Sequence, residues 1–180
     1  MKLIITLLFA LVGYFAYPQS PQSQFSKEYI PIWESARRIT MDLAEKMPAN
    51  LYPYKPTEEM KTFGEQMVHI GHTIQWMYDY LIEGKTEGLP KSPNAAEMTK
   101  QEIIDYLSNM FDQGSYNIRN HPVADLDRKV NYFGEGEITI KWTFISIQDH
   151  LVNHRAKANL YFRLNGLEPP EYNYVKGLGN

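Results

Sequence analysis

Apolar residues recur at three- and four-residue intervals in four segments of the chain, which is the pattern of amphipathic helices. The first segment covers residues 26–46 and ends before Pro48. The last covers residues 138–165 and ends before Gly166, a residue type that often terminates helices. The pattern therefore predicts an all-α fold, a four-helix bundle.

The two middle helices begin at capping signals. Thr62 with Glu65, and Thr99 with Glu102, follow the pattern in which a threonine and an acidic residue three positions later satisfy the free amides of a first helical turn. The second helix is predicted to end near Glu83, and residues 84–98, with their glycines and prolines, to form a long loop. A short irregular or β-like segment is expected around residues 130–133.

The N-terminal residues predict export. Lys2 precedes a continuous apolar run of about 14 residues, shorter than the roughly 20 that span a membrane. Residues 1–20 are therefore predicted to be a signal peptide of a secreted or periplasmic protein, and residues 24–180 to be the bundle. Tyr14 is bulkier than is usual two positions before a cleavage residue such as Ala16. An uncleaved N-terminal anchor, with membrane contact, and a buried N-terminal helix thus stay open.

Composition narrows the possible partners and chemistry. A chain of 180 residues with 43% hydrophobic content can bury one core, which favours a single domain. The formal net charge of -3 offers no basic field for a phosphate backbone, so no nucleic-acid partner is expected. Cysteine is absent, so a metal must be held by His, Asp or Glu. Self-association into a homodimer stays open.

His150 and His154 form the first candidate site. Their four-residue spacing places them about 40° apart on one helix face. A bare pair of this kind is more often exposed or hydrogen-bonded than metal-binding, but this pair interrupts an inward-facing apolar stripe, and buried imidazoles need a partner for each nitrogen. The stripe consists of Ile140, Ile147, Leu151, Ala158 and Tyr161.

His69 is the best third ligand. On the second helix it lies on the flank of the apolar stripe, whereas His72 lies roughly opposite that stripe and is expected to be a solvated surface residue. His121 precedes a proline in a loop and has no partner that the sequence identifies. Together, His69, His150 and His154 are predicted to bind one divalent metal ion, with zinc, nickel or iron favoured among the ions that accept nitrogen ligands.

Three segments, residues 33–48, 62–72 and 149–170, resemble the DinB family and its DinB/YfiT-like relatives. The resemblance covers nearly the whole chain after the leader. It implies a four-helix bundle, one ligand histidine at His69 and a ligand pair at His150 and His154. Ala156 and Lys157 stand where the family has Gly and Gln, so a substrate role of that Gln does not carry over. The tail of the motif is present at Arg155, Tyr161, Arg163, Gly166, Pro169 and Pro170.

Three imidazoles leave part of a metal's coordination sphere open, as in catalytic sites. An ion there would lower the pKa of a water or thiol that attacks an electrophile, which predicts a metal-dependent hydrolase or transferase of a small molecule. The resembling family includes thiol-dependent transferases and isomerases. The catalytic residues stay unknown, because Asp149 points about 100° away from His150 and Glu65 is committed to its cap. Tyr80 and Tyr161 are orienting or core residues.

A second interpretation stays open beside the enzyme. In it, the chain is a non-catalytic metal-binding or stress-associated helical bundle, whose ion ties the second helix to the fourth. An exchangeable water on the metal would favour the enzyme.

Overall fold

A computed structural model describes residues 22–175 of the chain. Within that range the predicted four-helix bundle is confirmed, with one small two-stranded sheet added to it. No helix among the described residues is both long and apolar enough to cross a membrane. The signal peptide or anchor predicted for residues 1–20 lies outside the described residues. The four α-helices and the two short strands are α1 Gln24–Lys46, α2 Phe63–Met77, α3 Lys100–Asn120, β1 Lys129–Asn131, β2 Glu137–Thr139 and α4 Ile140–Leu164.

Both predicted capping boxes are formed. The Thr62 hydroxyl accepts the amide of Glu65 at 3.1 Å, and the Glu65 carboxylate accepts the amide of Thr62 at 2.7 Å. Thr99 and Glu102 repeat the arrangement at the start of α3. Helix α1 begins two residues earlier than predicted, because the Ser23 side chain caps it.

Helix α2 differs from the prediction at its C-terminal end. The α-helical hydrogen bonding stops at Met77, and one π-helical turn, Tyr78–Ile82, continues the element to the predicted limit. Asp79 is buried in this turn and accepts a bond from Lys85 at 2.8 Å. A 3.6-residue apolar pattern does not distinguish the two helix types over one turn, since either one leaves apolar side chains on the core side.

The β-like segment predicted around residues 130–133 is one strand of an antiparallel hairpin. Val130 pairs with Ile138, so the predicted start of α4 at Ile138 is wrong by two residues. Thr139 caps α4 instead, by accepting the amide of Trp142. Phe133 lies in the turn of the hairpin, with φ of 53°.

Packing decides which helices face each other. Helix α1 packs mainly against α3 and α4, and α2 packs mainly against the same two helices. Consequently α1 and α2 lie diagonally across the bundle, and α2 runs beside α4. The core between the helices is apolar and aromatic, with Trp33, Phe63, Phe111, Tyr161 and Phe162 as its largest fully buried side chains.

The C-terminal end of α4 follows the prediction. Gly166 has φ of 67°, the left-handed conformation in which glycine is least strained. The amide of Leu167 bonds to the Phe162 carbonyl at 2.9 Å, and the amide of Gly166 bonds to that of Arg163 at 3.1 Å. These two bonds form a Schellman motif, which satisfies carbonyls that the helix end would otherwise leave free.

Candidate metal centre

Three histidines converge where α2 meets α4. His69 lies on α2, and His150 and His154 lie one turn apart on α4. One nitrogen from each ring can be chosen so that all three lie within 4.8 Å of one another. The ring centroids are 4.3 to 5.4 Å apart. The structure thus brings together all three residues that the sequence proposed; their role as metal ligands stays a prediction.

The contact between His69 and His150 has the spacing of two ligands on one ion. Their Nε2 atoms are 3.2 Å apart. Two nitrogens at 2.0–2.1 Å from a tetrahedral zinc lie about 3.3 Å from each other. The two rings therefore need little movement to share an ion, and the site fits a metal by distance.

A chain of hydrogen bonds fixes the proton on His154. The backbone carbonyl of Lys61 can only accept, so the Tyr161 hydroxyl donates to it, at 2.6 Å. The Tyr161 oxygen then accepts from Gln66 Nε2 at 3.2 Å, which turns Gln66 Oε1 toward His154 Nδ1 at 2.7 Å. An amide oxygen accepts only, so Nδ1 carries the proton. The lone pair of His154 is therefore on Nε2, available to a metal.

Burial keeps the three imidazoles neutral. It is the largest cause that lowers the pKa of His69 to about 4, followed by the nearby His150 ring. It likewise lowers the pKa of His154 to about 3, with His69 as the next cause, and lowers that of His150. Neutral rings have the free nitrogen lone pair that a metal requires. At neutral pH the cluster can therefore accept a cation without first releasing protons.

His72 and His121 lie outside the cluster, but neither is placed as expected. His72 is partly buried and lines an open cavity beside His69 and His150, so it is less exposed than the solvated surface residue that was predicted. Burial lowers its pKa. His121 is buried and has a partner, since its Nε2 lies 3.1 Å from the carboxylate of Asp125.

The hydrogen bond between Gln66 and His154 was not predicted from the sequence. Gln66 precedes His69 by one helical turn, and Tyr161 follows His154 by two turns, so each lies on the face of its helix that carries a histidine. These two spacings are the only features of the sequence that could have placed Gln66 and Tyr161 near the histidines. The bond itself joins residues 88 positions apart, and only the packing of α2 on α4 reveals it.

An open cavity of about 360 Å³ borders the cluster. His69 and His150 form part of its wall, so an ion held between them would face the cavity. The remaining lining residues come from α2 and from the hairpin: His72, Thr73, Trp76, Met77, Tyr132 and Phe133.

Comparisons with known proteins agree with this architecture. The family model described as the DinB superfamily matches residues 32–158. A DinB-like protein from Bacillus subtilis has a similar structure, with a TM-score of 0.62 and 20% identity, over 83% of this chain and 97% of that one. A protein from Exiguobacterium sibiricum, assigned to the DinB family, gives a TM-score of 0.63 and 12% identity over the same shares. At these identities the structures show a shared fold alone. No curated protein matched the chain.

Proposed function

Because the chain belongs to the DinB superfamily and its fold brings three neutral imidazoles to one point, we propose that it binds one divalent metal ion and acts as a metal-dependent hydrolase or transferase. The ligands are His69, His150 and His154, and the ion is zinc, nickel or iron. The substrate is a small molecule. The observation that carries the proposal is the convergence of the three rings at the edge of an open cavity.

The donor set supports metal binding. Nε2 of His69 and Nε2 of His150 face each other at 3.2 Å, and the bond from Nδ1 to Gln66 leaves Nε2 of His154 free. Among the residues that the structure describes, no carboxylate belongs to the group of three. Three imidazoles without a carboxylate suit first-row ions better than calcium or magnesium.

The cavity supports catalysis over a purely structural ion. Structural zinc sites are closed by four protein ligands, whereas three ligands leave a position for substrate. When bound, the ion supplies Lewis acidity, which makes water or a thiol a nucleophile near neutral pH. His72 lines the same cavity as a neutral imidazole and is the side chain that we propose to accept or return a proton there.

Export is a further part of the proposal. It is supported by Lys2 and the apolar run that follows, since these have the length and order of a signal peptide. Fractionation of cells that express the full chain, with N-terminal sequencing of the product, tests it. Full-length protein in the cytoplasm would contradict export.

Metal uptake is the first experiment. Elemental analysis of protein purified from its native compartment identifies the ion, and calorimetry measures binding. We expect one ion per chain in the wild type, loss of uptake in His150→Ala and in His154→Ala, and retention in His72→Ala. His72 is the matched control, since it is a histidine of the same cavity outside the cluster. Uptake by His150→Ala equal to that of the wild type would contradict the site.

The open coordination position of the metal can be tested separately. The d–d absorption of cobalt-substituted protein should change when acetohydroxamate, a small metal chelator, is added. A bound but unresponsive cobalt would contradict the enzyme and favour the non-catalytic metal-binding bundle.

A further inference from the structure

The cavity beside the three histidines is lined mainly by apolar and aromatic side chains. Trp76 and Met77 contribute from α2, and Tyr132 and Phe133 from the hairpin. Within the described part of the chain, the residues that line it include no Asp, Glu, Lys or Arg. The Thr73 hydroxyl is already engaged, since it donates to the His69 carbonyl at 2.7 Å. A charge on the part of a ligand that lies against these side chains, away from the metal position, would therefore lose hydration without gaining an opposite charge.

Three aromatic rings, those of Trp76, Tyr80 and Phe133, stack together on one side of this cavity. The rings of Trp76 and Phe133 are nearly parallel, with an interplanar angle of 7° and centroids 6.2 Å apart. Tyr80 packs against both, at 5.1 Å from Trp76 and 5.7 Å from Phe133. Trp76 and Phe133 line the cavity, whereas Tyr80 supports them. Flat aromatic faces bind other flat apolar groups by stacking.

Phe133 is held in an uncommon conformation. Its φ of 53° lies in the left-handed region, where a bulky side chain is rare, and the residue is 43% exposed. The turn is fixed by a bond from the amide of Gly134 to the Asn131 side chain at 2.6 Å and by one from the amide of Tyr132 to the Gly136 carbonyl at 2.8 Å. A glycine would adopt this φ with less strain, so the presence of a large exposed ring here points to a use for the ring.

The size of the cavity limits what it can hold. Its volume of about 360 Å³ is near the lower end of the 300–1,000 Å³ that is typical of small-molecule sites. It suits a compact molecule better than a peptide or a polymer.

We propose that the substrate is a compact molecule with an uncharged, flat apolar group, such as an aromatic ring, which packs on Trp76 and Phe133 while its reacting polar group faces the metal position at His69, His150 and His154. This inference rests on the proposed metal site and adds the chemical class of its substrate. Trp76 and Phe133 are then specificity-determining residues.

Two hydroxamates test the inference. Benzohydroxamate and acetohydroxamate bind metals through the same group and differ by the aromatic ring. Calorimetry on zinc-loaded protein should show benzohydroxamate binding on the order of tenfold more tightly. Benzohydroxamate that carries a carboxylate on its ring should bind no more tightly than acetohydroxamate. Equal affinities for the two hydroxamates, or tighter binding of the carboxylated compound, would overturn the proposal.

Substitutions of Phe133 and Trp76 test whether these two residues cause the tighter binding of benzohydroxamate. Phe133→Gly suits the local φ and should fold. We expect its affinity for benzohydroxamate to fall most of the way to that for acetohydroxamate, while its affinity for acetohydroxamate stays unchanged. Trp76→Leu should do the same and keeps an apolar side chain. Trp142→Ala is the matched control, since Trp142 is 61% exposed on α4 and does not line the cavity. An undiminished advantage in Phe133→Gly would overturn the proposal.

Failure of the metal site can be told apart from failure of the pocket. If zinc does not bind, acetohydroxamate does not bind either, and the proposed function fails. Benzyl alcohol, which needs no metal, then tests the pocket alone by saturation-transfer NMR in the presence of a chelator. A ring-proton signal that Phe133→Gly abolishes supports the pocket, whereas no signal, or an equal signal in both proteins, overturns it.

Discussion

The backbone carbonyl of Lys61 determines which nitrogen of His154 carries the proton, and it acts through two side chains. The Lys61 carbonyl orients the Tyr161 hydroxyl, which orients the Gln66 amide, which places the proton on Nδ1. Gln66 is 3% exposed and Tyr161 is fully buried, so water does not compete for these bonds. Hydrogen bonds of this kind hold a ligand ring in the orientation and tautomer that a metal needs.

Removing the Gln66 amide should weaken metal binding without abolishing it. Gln66→Leu leaves Nδ1 of His154 without its acceptor, and we expect the metal affinity to fall by about 10- to 100-fold while one ion is still bound. Gln66→Glu keeps an acceptor and should retain most of the affinity. Competition with a chromogenic chelator measures both. Equal affinities in Gln66→Leu and the wild type would show that the ring is oriented by packing alone.

The lowered histidine pKa values make the metal-free protein sensitive to acid. An unfolded imidazole has a pKa near 6.5, whereas burial lowers the pKa of folded His69 to about 4 and that of His154 to about 3. Between these values the unfolded chain binds more protons than the folded one, so the free energy of unfolding falls as the pH drops below 6.5 and levels off below the folded pKa values. Urea denaturation of chelator-treated protein at a series of pH values measures this. His154→Gln should show a shallower dependence, and an unchanged slope would contradict the assignment.

The sequence predicts which residues lie close together on one helix, but it does not predict which residues of different helices meet. His150 and His154 could be paired from their spacing, because helix geometry alone fixes it. Gln66 could not be assigned its bond, because its partner lies on another helix. His72 was placed in solvent by its angle on α2, but it shares a cavity with Tyr132 and Phe133 of the hairpin, which are far along the chain.

At the scale of elements, caps and terminators were predictable where packing geometry was not. Thr62, Thr99 and Gly166 act within a few residues of themselves, so their signals are local. The π-helical turn after Met77 and the pairing of β2 with β1 depend on contacts outside the segment. Ile138 fits an apolar helical pattern and also fits a half-buried strand, and only its partner Val130 decides between them.

Close contact between α1 and α3 depends on Gly114. A Cβ at this position would overlap the indole ring of Trp33, which is 1% exposed and held by a bond from Nε1 to the Phe111 carbonyl at 3.2 Å. We therefore expect Gly114→Ala to lower the free energy of unfolding by about 1–3 kcal/mol or more, as overpacked cores do. Chemical denaturation measures the change.

Gly71→Ala is the control for this substitution. Its Cβ would also be crowded, at 2.9 Å from Cε1 of Tyr106, but that ring is only partly buried and can shift. The loss of stability should therefore be smaller than in Gly114→Ala, since alanine also favours the helix. A larger loss in Gly71→Ala would mean that Trp33 can move and Tyr106 cannot.

At the scale of the whole molecule, the site depends on which helices are neighbours. The apolar patterns gave four helices but not their arrangement, and a meeting of His69 with His150 requires α2 to lie beside α4. The connection between α1 and α2, residues 47–62, is long enough to cross the bundle, and it leaves α2 in contact with α3 and α4. Short connections would have favoured sequential neighbours.

A metal that joins α2 to α4 should stabilise the whole bundle. An ion that binds the folded chain alone raises the free energy of unfolding by mass action, by about 2.7 kcal/mol when its free concentration is a hundred times Kd. Urea denaturation with and without zinc should show this increase in the wild type and in His72→Ala, but not in His150→Ala. The double variant His69→Ala, His150→Ala should lose no more of the metal-dependent increase than either single variant, because each ligand is needed for the same ion. An increase that survives in His150→Ala would place the ion elsewhere, since His150 and His154 are the residues by which α4 reaches His69.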